Sequence, residues 1–424
     1  MRVLLVGNRA IQHALAVRLE YEGCAVDVYP GQSVDVYNAV AAERVLETEY
    51  GLVVMGSARY FKDPVIAELK ARGTPYFGPD AQSGRLETSK EYFKRFARAQ
   101  GIKTPDSQSF SDFDEAVDYV RSTPGPYVIK ADGPARGCGV AITHSLAQAE
   151  EDLHRKLRDR SSLYFAESVV IERFVEGFEV GVNIFLGDDS YMVLPPTKPH
   201  KRRDSGDSGP NVAGMGSCAP VTLNSLFYDE LRDRIIGPTL AGLRQKGWTF
   251  RGCLFVNLMV TAHELIVLEF NCRMGDPAML VDLVLLESRL IDLLEATAAN
   301  RLSGTVPTFR QGVGVAVTLA DPGYPDGGLQ TAMISVDPSE WLGAGNDSGL
   351  VLAGAERSGD PTQLTVTNGV VAVAVAVGPD FAAARSEAYR LADLVPDLHR
   401  RPDIGDAIDP PLRYSAGGEL MSIG

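Results

Sequence analysis

The sequence predicts a multidomain protein of mixed α/β and α+β class, opening on a parallel α/β domain. Three observations carry this. A chain of 424 residues is too long for one hydrophobic core. Its first hundred residues alternate strand-like and helix-like segments, the mark of a parallel sheet covered by helices. Farther on, a strand that ends in lysine runs into a loop holding three glycines and then into another short strand, a pattern of a different kind.

In the N-terminal part the strand-like segments are 3–6, 25–29, 52–55 and 76–78, and the helix-like ones are 11–21 and 65–72. The first turn, Gly7-Asn8-Arg9-Ala10, carries only one glycine of a dinucleotide fingerprint. Gly7 therefore reads as a compact strand-to-helix turn.

A second unit begins near Thr88-Ser89-Lys90, where Lys90 heads an amphipathic stretch. Then Tyr127-Val128-Ile129-Lys130 leads into Gly133-Pro134-Ala135-Arg136-Gly137-Cys138-Gly139. Glycines let backbone N–H groups approach a polyphosphate, and a lysine at the strand end meets its charge. The GK[ST] of a P-loop is absent. A flexible hairpin with a surface lysine fits the same residues, and both readings stand at this point. Cys138 reads as a small filler, since nothing beside it marks a base. Val169 to Val180 gives a strand, a short apolar hinge and Glu179 just beyond Gly177, which could offer backbone groups to a purine edge and a carboxylate to ribose. Charged residues flanking a strand are also commonly only solvated.

The stretch Leu268-Glu269-Phe270-Asn271-Cys272-Arg273-Met274-Gly275-Asp276-Pro277 sets a carboxylate, an amide and a guanidinium at the end of an apolar run. On a strand, Glu269 and Asn271 point one way and Phe270 the other, so two oxygen ligands converge while the aromatic anchors them. Hard oxygens in this number suit Mg²⁺, which fills the rest of its shell with phosphate and water. A strand end whose polar residues face solvent is the plainer alternative.

Composition narrows the function classes. With 45% hydrophobic and 23% charged residues the chain is an ordinary globular one. A formal net charge of -14 and a pI near 5.0 argue against general binding to nucleic acid or anionic membrane. No apolar run has the length of a membrane span, and the N-terminus enters Val3-Leu4-Leu5-Val6 without a charged leader, so a cytoplasmic protein is expected. Five cysteines without a CxxC pair, and six scattered histidines, speak against a disulfide framework or a zinc site.

Taken together, the lysine with its glycine loop, the hinge with its GxE, and the ExN pair resemble in order and spacing an ATP-grasp ligase. The whole chain resembles the glycinamide ribonucleotide synthetase (phosphoribosylamine-glycine ligase) family. The motifs are Val128-Ile129-Lys130-Ala131-Asp132-Gly133, Ile171-Glu172-Arg173-Phe174, His200-Lys201-Arg202, Asp207-Ser208-Gly209-Pro210-Asn211, Gly214-Met215-Gly216 and Glu269 to Pro277. Weaker echoes are Gly323-Tyr324-Pro325, Thr367-Asn368-Gly369, Ala388-Tyr389 and Asp403-Ile404-Gly405. The resemblance implies an N-terminal parallel α/β domain over 1–100, an ATP-grasp domain over 101–310 with a mobile lid at about 125–185, and a small C-terminal α+β domain over 311–424.

It implies ATP and Mg²⁺, with Mn²⁺ the alternative ion. Lys90, Lys130, Arg136 and Gly137 would meet ATP phosphates. Glu172, Phe174 and Val175 would lie at the adenine hinge, and Glu179 at the ribose. Glu269 and Asn271 would bind the metal. Lys201, Arg202, Asp207, Gly209, Pro210, Asn211 and Arg273 would hold the acid substrate, and Arg273, Lys130, Asp207 and Asn211 form the catalytic set. Partners would be small-molecule acids and amines, with no nucleic acid or membrane, in a monomer or homodimer.

Departures from the family bear on the amine. Its first turn reads GNGGREH, against Gly7-Asn8-Arg9-Ala10-Ile11-Gln12-His13 here; its PGNxGT is Pro30-Gly31-Gln32-Ser33-Val34-Asp35, and its GPE is Gly56-Ser57-Ala58. All three fall where the family grips phosphoribosylamine. The loop GKG is Gly137-Cys138-Gly139, with Arg136 placed to restore the charge, and GDPE ends as Gly275-Asp276-Pro277-Ala278. The expectation is therefore an ATP-dependent carboxylate-amine ligase that forms an amide through an acyl phosphate. Its acid would be an amino acid and its amine one other than phosphoribosylamine, as in natural-product assembly. The alternatives are the phosphoribosylamine-glycine ligase of purine biosynthesis and a nucleotide-binding protein without catalysis.

Overall fold

The computed structural model describes residues 1–30, 38–133, 139–325, 333–335, 337, 340–343, 347–353, 355–357, 363–366, 369–406, 408 and 412–415. Near the N-terminus, Arg2–Val6 (β1), Ala25–Tyr29 (β2), Asn38–Ala39 (β3), Leu52–Met55 (β4) and Tyr76–Pro79 (β5) lie in the order β5-β4-β1-β2-β3. All their pairings are parallel. Val3 to Val6 are buried without alternation, as a parallel sheet covered on both faces requires. Because β1 sits between β4 and β2, the strand order reverses there, and the crevice outside the C-terminal ends of β1 and β4 is a topological switch point.

A separate antiparallel sheet contains Ser107–Phe110 (β6), Tyr127–Ala131 (β7), Val140–Thr143 (β8) and Val169–Arg173 (β9), in the order β6-β9-β7-β8. The helices Phe113–Ser122 and Leu146–Leu157 share a core with it built on Ala116, Val120, Ile129, Ala149, Leu153 and Ile171. This sheet and the lid range expected from sequence differ at both ends. β6 precedes residue 125, and Phe178–Leu186 (β10) belongs instead to the large sheet.

In that sheet β10 pairs with Tyr191–Val193 (β11), and the hairpin Lys198–Asp204 (β12) and Ser208–Ala219 (β13) follows in the chain. Phe250–Val260 (β14) lies between β10 and Leu265–Asn271 (β15), antiparallel to both. It also pairs with β5 through Phe250 and Arg251, so the N-terminal and central strands form one nine-stranded sheet. The hairpin continues into a five-stranded sheet through Val313–Ala320 (β16), which pairs with Val370–Gly378 and through it with Gly349–Leu352. The C-terminal strands thus share a sheet with the hairpin that carries the central motifs.

Among the described residues no helix is long and apolar enough to cross a membrane.

Candidate active site

The apolar run before Glu269 does become a strand, but with one irregularity that decides its chemistry. Asn257 on β14 faces Glu269 while Leu258 faces Val267, so Leu268 is an extra residue. Strict alternation from Leu265 and Val267 would send Glu269 into the core. The bulge turns it out and keeps Phe270 in. Phe270 is buried with its ring 4.9 Å from that of Phe93, on the helix Lys90–Ala99. The bulged residue also leaves its carbonyl to the Lys130 ammonium, which donates to Leu268 O at 3.1 Å.

Glu269 and Glu179 converge on one cation, the Lys201 ammonium, at 3.2 and 2.6 Å. Asn257 Nδ2 donates to Glu269 at 3.0 Å, and its Oδ1 is buried without a hydrogen-bond partner. Burial alone would raise the Glu269 carboxyl. The ammonium groups of Lys201, Lys130 and Lys90 outweigh it and hold the group at about 2. Burial likewise opposes charge on Lys201, but the two carboxylates hold its pKa above the ordinary value. An ionised carboxylate, the Asn271 amide and an orphaned Asn257 oxygen make a hard-oxygen set that fits Mg²⁺. No cluster of three or more His, Cys, Asp or Glu that could hold a metal ion occurs among the described residues.

Beside this set lie the lysines. Lys130 and Lys94 each stand 2.9 Å from a different oxygen of Glu172, which is 2% exposed. The Glu172 carboxylate thus sits between two ammonium groups. Phe174 and Val175 come next after Arg173, and Phe174 N donates to Pro126 O at 3.2 Å, tying that segment to the start of β7. Lys90 reaches back to Gly133 O at 2.9 Å at the entrance of the glycine-rich loop. Arg136, Gly137 and Cys138 lie outside the described residues.

Arg273 is held on three sides: Nε to Glu87 at 3.0 Å, Nη1 to Met274 O at 3.0 Å and Nη2 to Asn271 Oδ1 at 3.3 Å. The second Glu87 oxygen accepts from Cys272 N at 2.8 Å. Two residues on, Gly275 N donates to Asn183 Oδ1 at 2.9 Å, and Asn183 Nδ2 donates to the buried Asp282 at 2.7 Å. Glu87, Asn183 and Asp282 escaped the sequence reading.

Asp207, at the tip of the β12–β13 hairpin, has φ +50 and accepts at Oδ1 from Arg401 Nη1 at 2.7 Å. Arg202 contacts the same loop through Asp207 O at 3.3 Å and Asn211 Oδ1 at 3.4 Å. Gly209 and Pro210 lie between them on the exposed face. At the base of the hairpin Gly214, φ +141, comes so close to Pro277 that a Cβ would stand 2.8 Å from its Cδ, which packs the GMG motif on the GDP turn.

At the switch-point crevice the Gln12 side chain fills the space between Gly7 and Gly56. A Cβ on Gly56 would lie 2.0 Å from Gln12 Nε2. Gln12 Oε1 accepts from Arg9 N at 2.9 Å, so the amide is fixed by the turn itself. The Arg9 charge bears on Asp276, whose carboxyl is raised by burial and drawn back by Arg9 and Arg273. Residues 31–37, with the altered Gly31 to Asp35, are outside the described residues.

Comparison with known proteins gives this geometry a family. Residues 88–279 match the model of the phosphoribosylglycinamide synthetase ATP-grasp (A) domain. The phosphoribosylamine–glycine ligase of Chlorobaculum tepidum is 31% identical over 96% of this chain and 99% of its own. The chain belongs to the phosphoribosylglycinamide synthetase family. A second relative of the same name, from Leifsonia xyli subsp. xyli, is 35% identical over 92% of this chain and 95% of its own. The crystal structure of the Thermotoga maritima phosphoribosylamine–glycine ligase superposes with a TM-score of 0.82 at 28% identity, covering 95% of this chain and all of that one. As a member of the phosphoribosylglycinamide synthetase family the protein is an ATP-grasp carboxylate-amine ligase that uses ATP and Mg²⁺ and forms ADP and phosphate. The α/β and α+β multidomain class read from the sequence is the class of the structure.

Proposed function

We propose that the protein is a phosphoribosylamine–glycine ligase, activating the glycine carboxylate with ATP and passing the acyl group to phosphoribosylamine. The observation that carries this is the match to relatives of that name over nearly their whole length, 99% and 95% of the two chains. The retained cluster of Lys130, Lys201, Glu269, Asn271 and Arg273 supports it. These comparisons favour the purine enzyme over the diverged amine that the sequence alone suggested.

In this reading a glycine carboxylate oxygen attacks the γ-phosphorus and ADP leaves. The amine nitrogen then attacks the acyl carbon, the acyl–phosphate bond breaks and phosphate departs. Glu269 and Asn271 hold Mg²⁺, which neutralises phosphate charge when bound. Lys90 and Lys130 face the phosphates, and Arg273, fixed by Glu87, meets the transferred group; cations aimed at developing charge are the main source of rate in such transfers. Phe174 and Val175 line the adenine side and Glu179 the ribose side. Lys201 and Arg202, with Asp207, Gly209, Pro210 and Asn211, shape the glycine side. The domains run over 1–100, 101–310 and 311–424, with the lid at about 125–185, and the site is cytoplasmic.

A second reading, an amine other than phosphoribosylamine, draws on the Gln12 side chain that fills the space between Gly7 and Gly56 and on Arg9 beside it. The experiment that separates the two supplies Mg-ATP, glycine and either freshly made phosphoribosylamine or a panel of other amines, and follows ADP and the amide product. Product from phosphoribosylamine at a kcat/KM above that of every other amine supports the purine enzyme. Turnover confined to another amine rejects it.

A further inference from the structure

Asn183 and Asp282 belong to no motif of the family resemblance, yet they meet beneath the turn that follows Arg273. β10 presents Glu179, Gly181 and Asn183 on one face, since side chains alternate along a strand. Asn183 stands opposite Phe255 on β14, and Phe255 opposite Asn271 on β15, so the two asparagines share one row of the sheet. Asn271 is half-buried, whereas Asn183 is 0% exposed and lies against the helix Ala278–Leu285. That helix reads Ala-Met-Leu-Val-Asp-Leu-Val-Leu, and all eight residues are buried. Asp282 is its one polar side chain, with an Oδ1 that has no hydrogen-bond partner among the described residues. A buried carboxyl with an unmade bond costs stability, so core packing does not account for it.

What Asp282 does is orient Asn183. Its Oδ2 accepts from Asn183 Nδ2 at 2.7 Å, which leaves Asn183 Oδ1 turned to Gly275 N at 2.9 Å. Burial pushes the Asp282 carboxyl up to about 8, so near neutrality the neutral acid prevails and its carbonyl oxygen remains an acceptor. The Gly275 N–H and the Met274 carbonyl belong to one planar peptide and point to opposite sides of it. Arg273 Nη1 donates to that carbonyl at 3.0 Å. Holding the N–H therefore fixes the direction of the oxygen that Arg273 uses. A continuous chain of hydrogen bonds runs from Asp282 through Asn183 and the peptide 274–275 to the Arg273 guanidinium, and on from Nη2 to Asn271 Oδ1. Phe255 closes the turn from the side, since a Cβ on Gly275 would stand 2.7 Å from its ring.

We propose that Asn183 and Asp282 are positioning residues for Arg273: Asn183 grips the peptide that carries Arg273's acceptor, and Asp282 keeps the Asn183 amide facing it. Neither is a catalytic residue, and both act through Arg273. The inference rests on the proposed function, in which Arg273 meets the transferred phosphoryl group, and adds to it two residues outside the family motifs.

The test measures kcat and the ATP KM for ADP formation by the full chain with Mg-ATP, glycine and phosphoribosylamine, alongside amide hydrogen exchange of the segment 272–277. Asp282→Asn preserves the acceptor and is expected to keep kcat within about twofold. Asp282→Ala frees the amide, and Asn183→Val removes the acceptor of Gly275 N. Each should lower kcat roughly tenfold or more with the ATP KM within about twofold, as for a misplaced group acting in the transition state. The double variant Asn183→Val, Asp282→Ala exchanges two polar groups for apolar ones of similar total volume, which keeps the core intact if a single variant does not fold. In an Arg273→Lys background the double variant should cost nothing further, because residues acting through one group are not additive. Wild-type kcat in the double variant, an equal loss in Asp282→Asn and Asp282→Ala, or a full additional loss in the Arg273→Lys background overturns the proposal. Wild-type kcat in Arg273→Lys alone, or no ADP formed by the wild type, overturns the proposed function instead. Exchange then still decides the grip on the turn: faster exchange in the double variant but not in Asp282→Asn supports it, and unchanged exchange in both rejects it.

Discussion

Arg401 donates from Nη1 to Asp207 Oδ1 at 2.7 Å, joining residues 194 positions apart in the chain. The arginine is 1% exposed, and its other nitrogens are taken by Asp403 at 2.8 and 2.6 Å, while Asp403 also accepts from Gly206 N. The C-terminal segment thereby holds the hairpin tip whose residues 207–211 are proposed to shape the acid side. Arg401→Met should destabilise the protein by about 1–3 kcal/mol, since Asp403 and the Arg202 carbonyl lose their donor. Asp207→Asn, at an exposed partner, should cost about 1 kcal/mol or less. Denaturant unfolding checks both. The glycine KM should rise in both variants while the ATP KM stays unchanged.

Glu172 between Lys94 and Lys130 is the second such joint. Burial lowers Lys94 to about 8 against the pull of Glu172, so the carboxylate is what keeps this lysine charged. Glu172→Gln leaves two buried ammonium groups facing a neutral amide and should cost about 3–5 kcal/mol in denaturant unfolding. Wild-type stability in that variant would show that the pair is not what fixes Lys130.

Asp282 sets a pH dependence. Burial raises its carboxyl from 3.8 to about 8, opposed by the hydrogen bond from Asn183. The folded state binds this proton more tightly than the unfolded one. The stability it brings is therefore full below about pH 4 and is lost as pH rises toward about 8. Asp282→Asn keeps an acceptor for Asn183 and removes the titration. The difference in Tm between variant and wild type should widen in favour of the variant from about pH 6 to about pH 8, by scanning fluorimetry. A constant difference across that range would contradict the assignment.

The ExN stretch was legible because an apolar run ends in Glu269, Phe270 and Asn271, which alternate, so Phe270 lies on the face opposite Glu269 and Asn271, and the structure keeps that relationship. The bulge at Leu268 was not legible. It arises from how β15 fits Asn257 on its neighbour, and no local propensity marks it. For the same reason Glu87, Asn183, Asp282 and Arg401 were missed: each acts on residues 99 to 194 positions away or is reached from as far. Glu172 was read as part of a hinge from its place in a motif. Its burial between two lysines from separate elements depends on packing that a linear pattern does not show.

Metal binding by Glu269 is open to direct titration. Glu269→Gln removes the charge that three lysines hold ionised and should raise the Mg²⁺ concentration needed for half-maximal ADP release, with turnover down roughly a hundredfold or more. An unchanged Mg²⁺ dependence would reject this ligand.

The central claim is that the cluster of Glu269, Lys130, Lys201 and Arg273 activates a carboxylate as an acyl phosphate. Its most direct test gives the full chain Mg-ATP, glycine and hydroxylamine, and measures glycine hydroxamate and ADP together. The account predicts the two in equal amounts, both lost in Glu269→Gln. ADP released without hydroxamate, or hydroxamate undiminished in the variant, would contradict it.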